Sequence, residues 1–134
     1  MEASIDVEKN IIVGQPVMIE SSSPKSSYAV AFEDDGETGY LYGLDLSLEE
    51  NPILDALYIY NGKNIIDRSH SHLLQILWAK DGLKVALLIN QYPHAVFDFE
   101  ARRGYCRTNF PLPDTRWTSF DHSWSDAAID LFND

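Results

Sequence analysis

Four carboxylates crowd into five positions at Glu33, Asp34, Asp35 and Glu37, around one glycine, Gly36. Side chains packed this way hydrate, hold a cation, or meet a basic partner. Alternation on either side, Tyr28-x-Val30-x-Phe32 and Tyr40-x-Tyr42-x-Leu44, predicts that they sit at the tip of a hairpin. A three-residue loop with Gly36 in the left-handed position of a bulge pairs Val30 with Tyr40 and Tyr28 with Tyr42. That register sets Glu33 opposite Glu37, and like charges directly opposite are destabilising. Water, a cation or a basic partner is then needed to relieve them. The spacing is not that of an EF-hand, which wants ligands at alternate positions and a bidentate glutamate at the twelfth. The expectation is therefore a partner-binding tip made of Glu33, Asp34, Asp35 and Glu37, and no metal site.

A second polar set is Tyr92, His94, Asp98 and Arg107. His94 and Asp98 share a strand face but lie roughly 13 Å apart at strand rise, too far to pair directly. Asp98 is expected to meet Arg107 across the next strand pair if Arg102-Arg103 occupies the turn. Together the four form a polar sheet face suited to ligand binding or hydrolysis, since pockets gather a few convergent polar groups among apolar ones. His70-Ser71-His72 puts two imidazoles on one face, but zinc needs a third ligand, and nothing selects His94, His122 or a carboxylate. Cys106 precedes Arg107, and a neighbouring cation lowers a thiol pKa. No base and orienter are visible to activate it, and the register above sets it opposite Phe99 as a small buried apolar group. No glycine-rich phosphate loop, nucleophile elbow or dinucleotide fingerprint occurs. No catalytic residue and no cofactor are expected, and the chain leans away from being an enzyme.

The elements that must position these groups are best defined from Leu73 to Phe99. Leu74, Ile76 and Trp78 alternate along one strand, and Leu83, Val85, Leu87 and Ile89 along the next, with Asp81-Gly82 between them. A two-residue type I′ turn there pairs Trp78 with Val85, Ile76 with Leu87 and Leu74 with Ile89. A three-residue loop at Gln91-Tyr92-Pro93 would continue with Ile89–Ala95, Leu87–Phe97 and Val85–Phe99. Ile11 to Glu20 reads as a strand broken by Gly14 and Pro16, Ser21 to Ser27 as a loop, and Ile53 to Tyr60 as mostly strand. Ser47-x-x-Glu50 is a capping-box match, but Pro52 limits any helix to a turn. Gly104 to Thr108 is a short strand, followed by a loop at Pro111 and Pro113. Trp124 to Phe132 reads as a helix capped by Ser125, with Trp124 stapled to Ile129 and with Ile129 and Phe132 docking on the sheet. The fold class is mostly β: an antiparallel meander of six to eight strands, a curled sheet or half-barrel, with a C-terminal helix.

At 134 residues, 45% of them hydrophobic, residues 1–134 read as a single domain with a sizeable core. One cysteine excludes an internal disulfide framework and fits a reducing compartment. The first residues have neither the basic nor the apolar region of a secretory signal, and no apolar run approaches a membrane span. A cytoplasmic location is expected, with no membrane contact. The net charge is −11, unevenly placed: residues 1–67 carry 13 acidic and 3 basic side chains, residues 68–134 carry 8 and 7. Such a chain is not expected to bind nucleic acid, which requires phosphate neutralisation. Its field suits a basic protein partner.

Several longer runs resemble a family of small bacterial proteins: Phe32 to Tyr40, Ile53 to Asn61, Ala86 to Phe99, Gly104 to Pro111 and the tryptophan-containing tail. The family is the one called domain of unknown function 2251, and the resemblance covers most of the chain from Tyr28 onward. It implies a bacterial source and brings no activity. The functional expectation is a non-enzymatic binding module with an acidic surface for a basic protein, antitoxin-like or immunity-like by analogy only. The alternatives are a small-ligand-binding or hydrolytic protein using the polar sheet face, and a structural homodimer joined at a sheet edge.

Overall fold

The computed structural model describes residues 3–62, 70–107, 124–130 and 132. Among these residues nine strands and one short helix follow in order: β1 (Ser4–Ile12), β2 (Val17–Ser22), β3 (Tyr28–Asp34), β4 (Thr38–Asp45), β5 (Ile53–Asn61), β6 (Ser71–Trp78), β7 (Lys84–Ile89), β8 (Tyr92–Asp98), β9 (Arg103–Cys106) and α1 (Ala127–Asp130). They form two antiparallel sheets, β1-β6-β7-β8-β9 and β2-β3-β4-β5, which do not close into a barrel. One apolar cluster draws Phe32, Leu41 and Leu57 from the smaller sheet and Leu74, Ile76, Trp78, Leu87 and Phe97 from the larger. The mostly-β antiparallel fold with a C-terminal helix is thus as expected, in two meanders rather than one. The extra strand arises because Gly14, at φ +89°, turns the chain between β1 and β2. What reads as one broken strand is a corner that hands the chain from one sheet to the other.

The β6–β7 register is as the alternation requires: Leu74 opposite Ile89, Ile76 opposite Leu87, Trp78 opposite Val85. The turn beneath it is not type I′. Gly82 N–H donates to the Ala79 carbonyl and Ala79 N–H to the Lys84 carbonyl, closing a four-residue loop in which Gly82 alone has positive φ. Asp81 does not take a positive φ, and it accepts from Leu83 N–H at 2.9 Å. Two-residue and four-residue loops preserve the same pairing, so the register survives the change of turn.

The other two hairpins differ from expectation. Between β7 and β8 the turn is Asn90-Gln91, at φ 52° and 67°, with Ile89 opposite Tyr92. A bulge then follows: Leu88 faces Pro93 and Leu87 faces Ala95, so His94 is the extra residue. Two consecutive left-handed residues make the turn that hairpin twist favours. Between β3 and β4 the register is displaced by three, with Val30 opposite Gly43 and Glu33 opposite Tyr40. Gly36 (φ +105°) and Glu37 form a two-residue turn closed by Asp35 N–H to the Thr38 carbonyl. Glu33 and Glu37 therefore do not face each other, and the expected repulsion is absent.

Elsewhere, residues 46–52 form a loop with no helix. Asp45 Oδ1 accepts from Ser47 N–H and Ser47 Oγ, which uses the serine before it can cap anything. In the tail, Ser125 does cap: its Oγ accepts from Ala127 N–H at 3.2 Å. Among the described residues of the tail Ala127–Asp130 is helical, and the tail docks through buried Ala128 and Phe132 while Ile129 stays 39% exposed. The Trp124 ring carries the Arg107 guanidinium on its face and packs against the cluster of Ala128 and Phe132. Thr108, the loop at Pro111 and Pro113, and His122 lie outside the described residues.

Candidate functional site

The four carboxylates of the β3–β4 tip have separate surroundings. Asp34 is buried, and three donors from three parts of the chain converge on it. Gly14 N–H (2.7 Å) and Tyr60 Oη (2.6 Å) donate to Oδ2, and Gly36 N–H (2.8 Å) donates to Oδ1. The Tyr60 ring lies directly over Gly39, where a Cβ would stand 2.7 Å from Cζ, so only glycine admits it. Burial, then the bond to Asp34 and its charge, pushes the Tyr60 hydroxyl far up, keeping it a donor. Asp35 is exposed and accepts from the Thr38 and Glu37 N–H groups, which lower its pKa. Glu37 is exposed, and Glu33 is half-buried on the outer sheet face. The geometry thus separates one buried structural carboxylate, Asp34, from three that reach the surface.

Glu33 leads to residues that the sequence reading placed on the wrong face. Because a displacement by an odd number of residues reverses which side chains share a face, Tyr40 and Tyr42 lie opposite Glu33 and Ala31, away from Val30 and the core. Their β5 neighbours are Tyr58 and Ala56, and across β2 lie Met18 and Glu20. Tyr42 Oη donates to Glu33 Oε1 at 2.9 Å. Its pKa is pushed up to about 12, first by burial and then by that bond, so the hydroxyl stays protonated. The Tyr40 ring is 6.0 Å from Tyr42 and 5.4 Å edge-on from Tyr58. Strands β2 to β5 contain Glu20, Glu33, Asp34, Asp45 and Asp55, and neither lysine nor arginine. Of these, Glu20 and Glu33 share the outer face with Tyr40, Tyr42 and Tyr58, while Asp34, Asp45 and Asp55 have the inner parity of Val30, so the result is a tyrosine-lined face with two carboxylates, continuous with the tip. Its signal in the sequence is the Tyr-x-Tyr spacing at 40 and 42, readable only once the register is known.

The second polar set is brought together in part. Tyr92 and His94 rings are 5.5 Å apart, edge to face. The Arg107 guanidinium lies 4.3 Å from the Tyr92 ring centre and 4.0 Å from that of Trp124, and its Nε donates to the Pro93 carbonyl. Asp98 is elsewhere: it is buried, sits opposite Arg103 and accepts from Ala101 N–H at 3.0 Å. The expected pairing of Asp98 with Arg107 fails because the β8–β9 loop is Phe99–Arg102, with Arg102 at φ 57°. Cys106 consequently faces Ala95 rather than Phe99, buried, with its thiol 3.2 Å from the Tyr58 carbonyl. His72 Nδ1 lies 2.9 Å from Asn90 Nδ2. Among the described residues no three His, Cys, Asp or Glu side chains gather as metal ligands.

His94 carries a pH prediction. Burial, followed by the Arg107 charge, holds its pKa below the ordinary value near 6.5. Between the two values the unfolded chain binds a proton that the folded chain does not, so acidification favours unfolding. Urea midpoints should fall as the pH drops from about 7 to about 5, and His94→Gln should flatten part of that slope. An unchanged slope in the variant would refute this origin.

Comparison with known proteins places the chain among bacterial relatives. The family model described as "Uncharacterized protein conserved in bacteria (DUF2251)" matches residues 11–133. A protein of Haemophilus influenzae named "Uncharacterized protein" is 40% identical over 117 residues, covering 85% of this chain and 73% of that protein. No solved structure matches. No helix among the described residues is long and apolar enough to cross a membrane.

Proposed function

The chain belongs to the bacterial family DUF2251, and from that premise we propose that it is a non-catalytic binding module. Its partner is a protein presenting a basic, arginine-bearing segment to the outer face of the β2–β5 sheet. The observation that carries this reading is Glu33 held by Tyr42 beside Tyr40, on a sheet whose strands carry no basic residue. A guanidinium stacks on tyrosine faces and pairs its fork with a carboxylate. Exposed Asp35 and Glu37 at the adjoining tip raise the encounter rate without fixing the pose. The buried Asp34 supports the tip from behind.

The test uses an alternating arginine–serine peptide, its lysine–serine counterpart and a glutamate–serine control, titrated by fluorescence anisotropy. The arginine peptide should bind most tightly and weaken with salt. Tyr40→Ser with Glu33→Gln should lower its affinity about tenfold or more. Asp35→Asn with Glu37→Gln should act mainly on the association rate. Equal affinities for arginine and lysine peptides, or no loss in the Tyr40/Glu33 variant, would reduce the face to a generic polyanion and overturn the proposal.

A further inference from the structure

The outer face of the larger sheet carries a feature unconnected with the acidic face. Leu77 on β6, Ala86 and Leu88 on β7, and Pro93 and Val96 on β8 turn away from the main core, and the tail lays Ile129 and Phe132 over them. Small side chains at Ala86 and Ala128 leave the two layers incompletely filled. Between them is a pocket of about 190 Å³ with hydrocarbon walls, open at its mouth, where Ile129 is 39% exposed. An apolar cavity of about 150 Å³ holds a benzene ring, and water gains nothing from such walls because they give it no hydrogen-bond partner.

A cation lies just outside the wall of the pocket. Pro93 lines the pocket, and the carbonyl of Pro93 accepts from Arg107 Nε. The guanidinium is held against the rings of Tyr92 and Trp124, at 4.3 and 4.0 Å. Among the described residues no carboxylate pairs with it. A planar fork fixed by two rings is preorganised for a carboxylate. We propose that this pocket binds a small carboxylate with a hydrocarbon body, the body between Leu88, Val96 and Phe132 and the carboxylate at Arg107. The ligand class is short-chain acyl or aryl acids, and no bond is made or broken.

The experiment titrates the full chain with hexanoate and, separately, hexan-1-ol, following side-chain methyl resonances by carbon–proton NMR. Both should shift the methyls of Leu77, Leu88, Val96 and Ile129 saturably, with hexanoate binding about tenfold more tightly through its charge-assisted bond. Arg107→Gln should bring hexanoate down to the level of hexan-1-ol and leave the alcohol unchanged. Ala86→Leu should abolish both, and Leu88→Phe serves if the first fill does not fold. Failure of either compound to shift those methyls, or equal wild-type affinities, would overturn the proposal. So would loss of alcohol binding in Arg107→Gln, which would show Arg107 merely holding α1 in place.

Discussion

Asp34→Ala is expected to destabilise the protein by about 3 kcal/mol, read as a lowered urea midpoint at unchanged slope. The mechanism is the loss of one acceptor group serving three donors: the β1–β2 corner at Gly14, the turn at Gly36 and the Tyr60 hydroxyl on β5. Bonds to an ionised group contribute about 1.5–3 kcal/mol each. The two glycine amides are only partly buried, and water can replace the lost acceptor there, which brings the expected loss below the sum of the three bonds. Against a total stability of roughly 5–15 kcal/mol this is a large fraction. Asp34→Asn keeps one acceptor oxygen but turns an amide donor toward one of the donors, so an intermediate loss is expected. A change below about 1 kcal/mol in the alanine variant would show that the carboxylate is merely hydrated.

The same bond makes an alkaline prediction. Unfolded tyrosine ionises near pH 10, while Tyr60 in the folded protein holds its proton well above that, through burial and the neighbouring Asp34. Above pH 10 the folded state therefore binds more protons than the unfolded state, and stability falls as the pH rises. Tyr60→Phe should lose stability at neutral pH but flatten the alkaline decline. This matters for function because neutralising the whole tip would confuse unfolding with lost binding. Only Glu33, Asp35 and Glu37 can report on the surface.

How much was legible depended on whether a signal was shared by two strands. Between β6 and β7, apolar residues alternate on both sides of the turn, so only one parity buries them together, whichever loop closes the hairpin. Between β3 and β4 both parities offer a plausible face, since tyrosine suits core and surface alike. There the deciding interactions are local: Asp34 takes the Gly36 amide, and Asp35 takes those of Glu37 and Thr38. Carboxylates that looked like a binding site were partly turn chemistry. The tyrosine face went unread for the same reason, because an error of three residues placed it in the core. At β7–β8, Asn90 and Gln91 take the left-handed positions without a glycine, and the bulge at His94 follows. That bulge accompanies the gathering of Tyr92, His94 and Arg107 at one end of the sheet while Asp98 stays apart.

Trp78→Ala is expected to cost about 3–5 kcal/mol, the range for truncating a buried aromatic. The side chain is 1% exposed and its ring stacks on Phe99 at 6.1 Å, which in turn stacks on Tyr28 of the other sheet at 4.4 Å. Its indole N–H donates to Ser21 Oγ at 2.9 Å, and Ser21 donates onward to Asp6 Oδ2 at 2.6 Å. The residue thus ties β6 both to the facing sheet and, through Ser21, to the side chain of its own neighbour β1. Apolar burial and polar bridging can be separated. Ser21→Ala strands a buried indole donor and should cost about 1–3 kcal/mol. Trp78→Phe removes that donor along with some volume, so the double variant should be less destabilised than the sum of the singles. Strict additivity would mean that this bridge contributes nothing and that Trp78 acts through packing alone. A positive coupling would instead identify Trp78 as one polar link between the two sheets, beside the Cys106 thiol on the Tyr58 carbonyl and the Ser23 and Ser26 hydroxyls on the Gly82 carbonyl. The acidic face on one sheet and the apolar pocket on the other would then share a single rigid support.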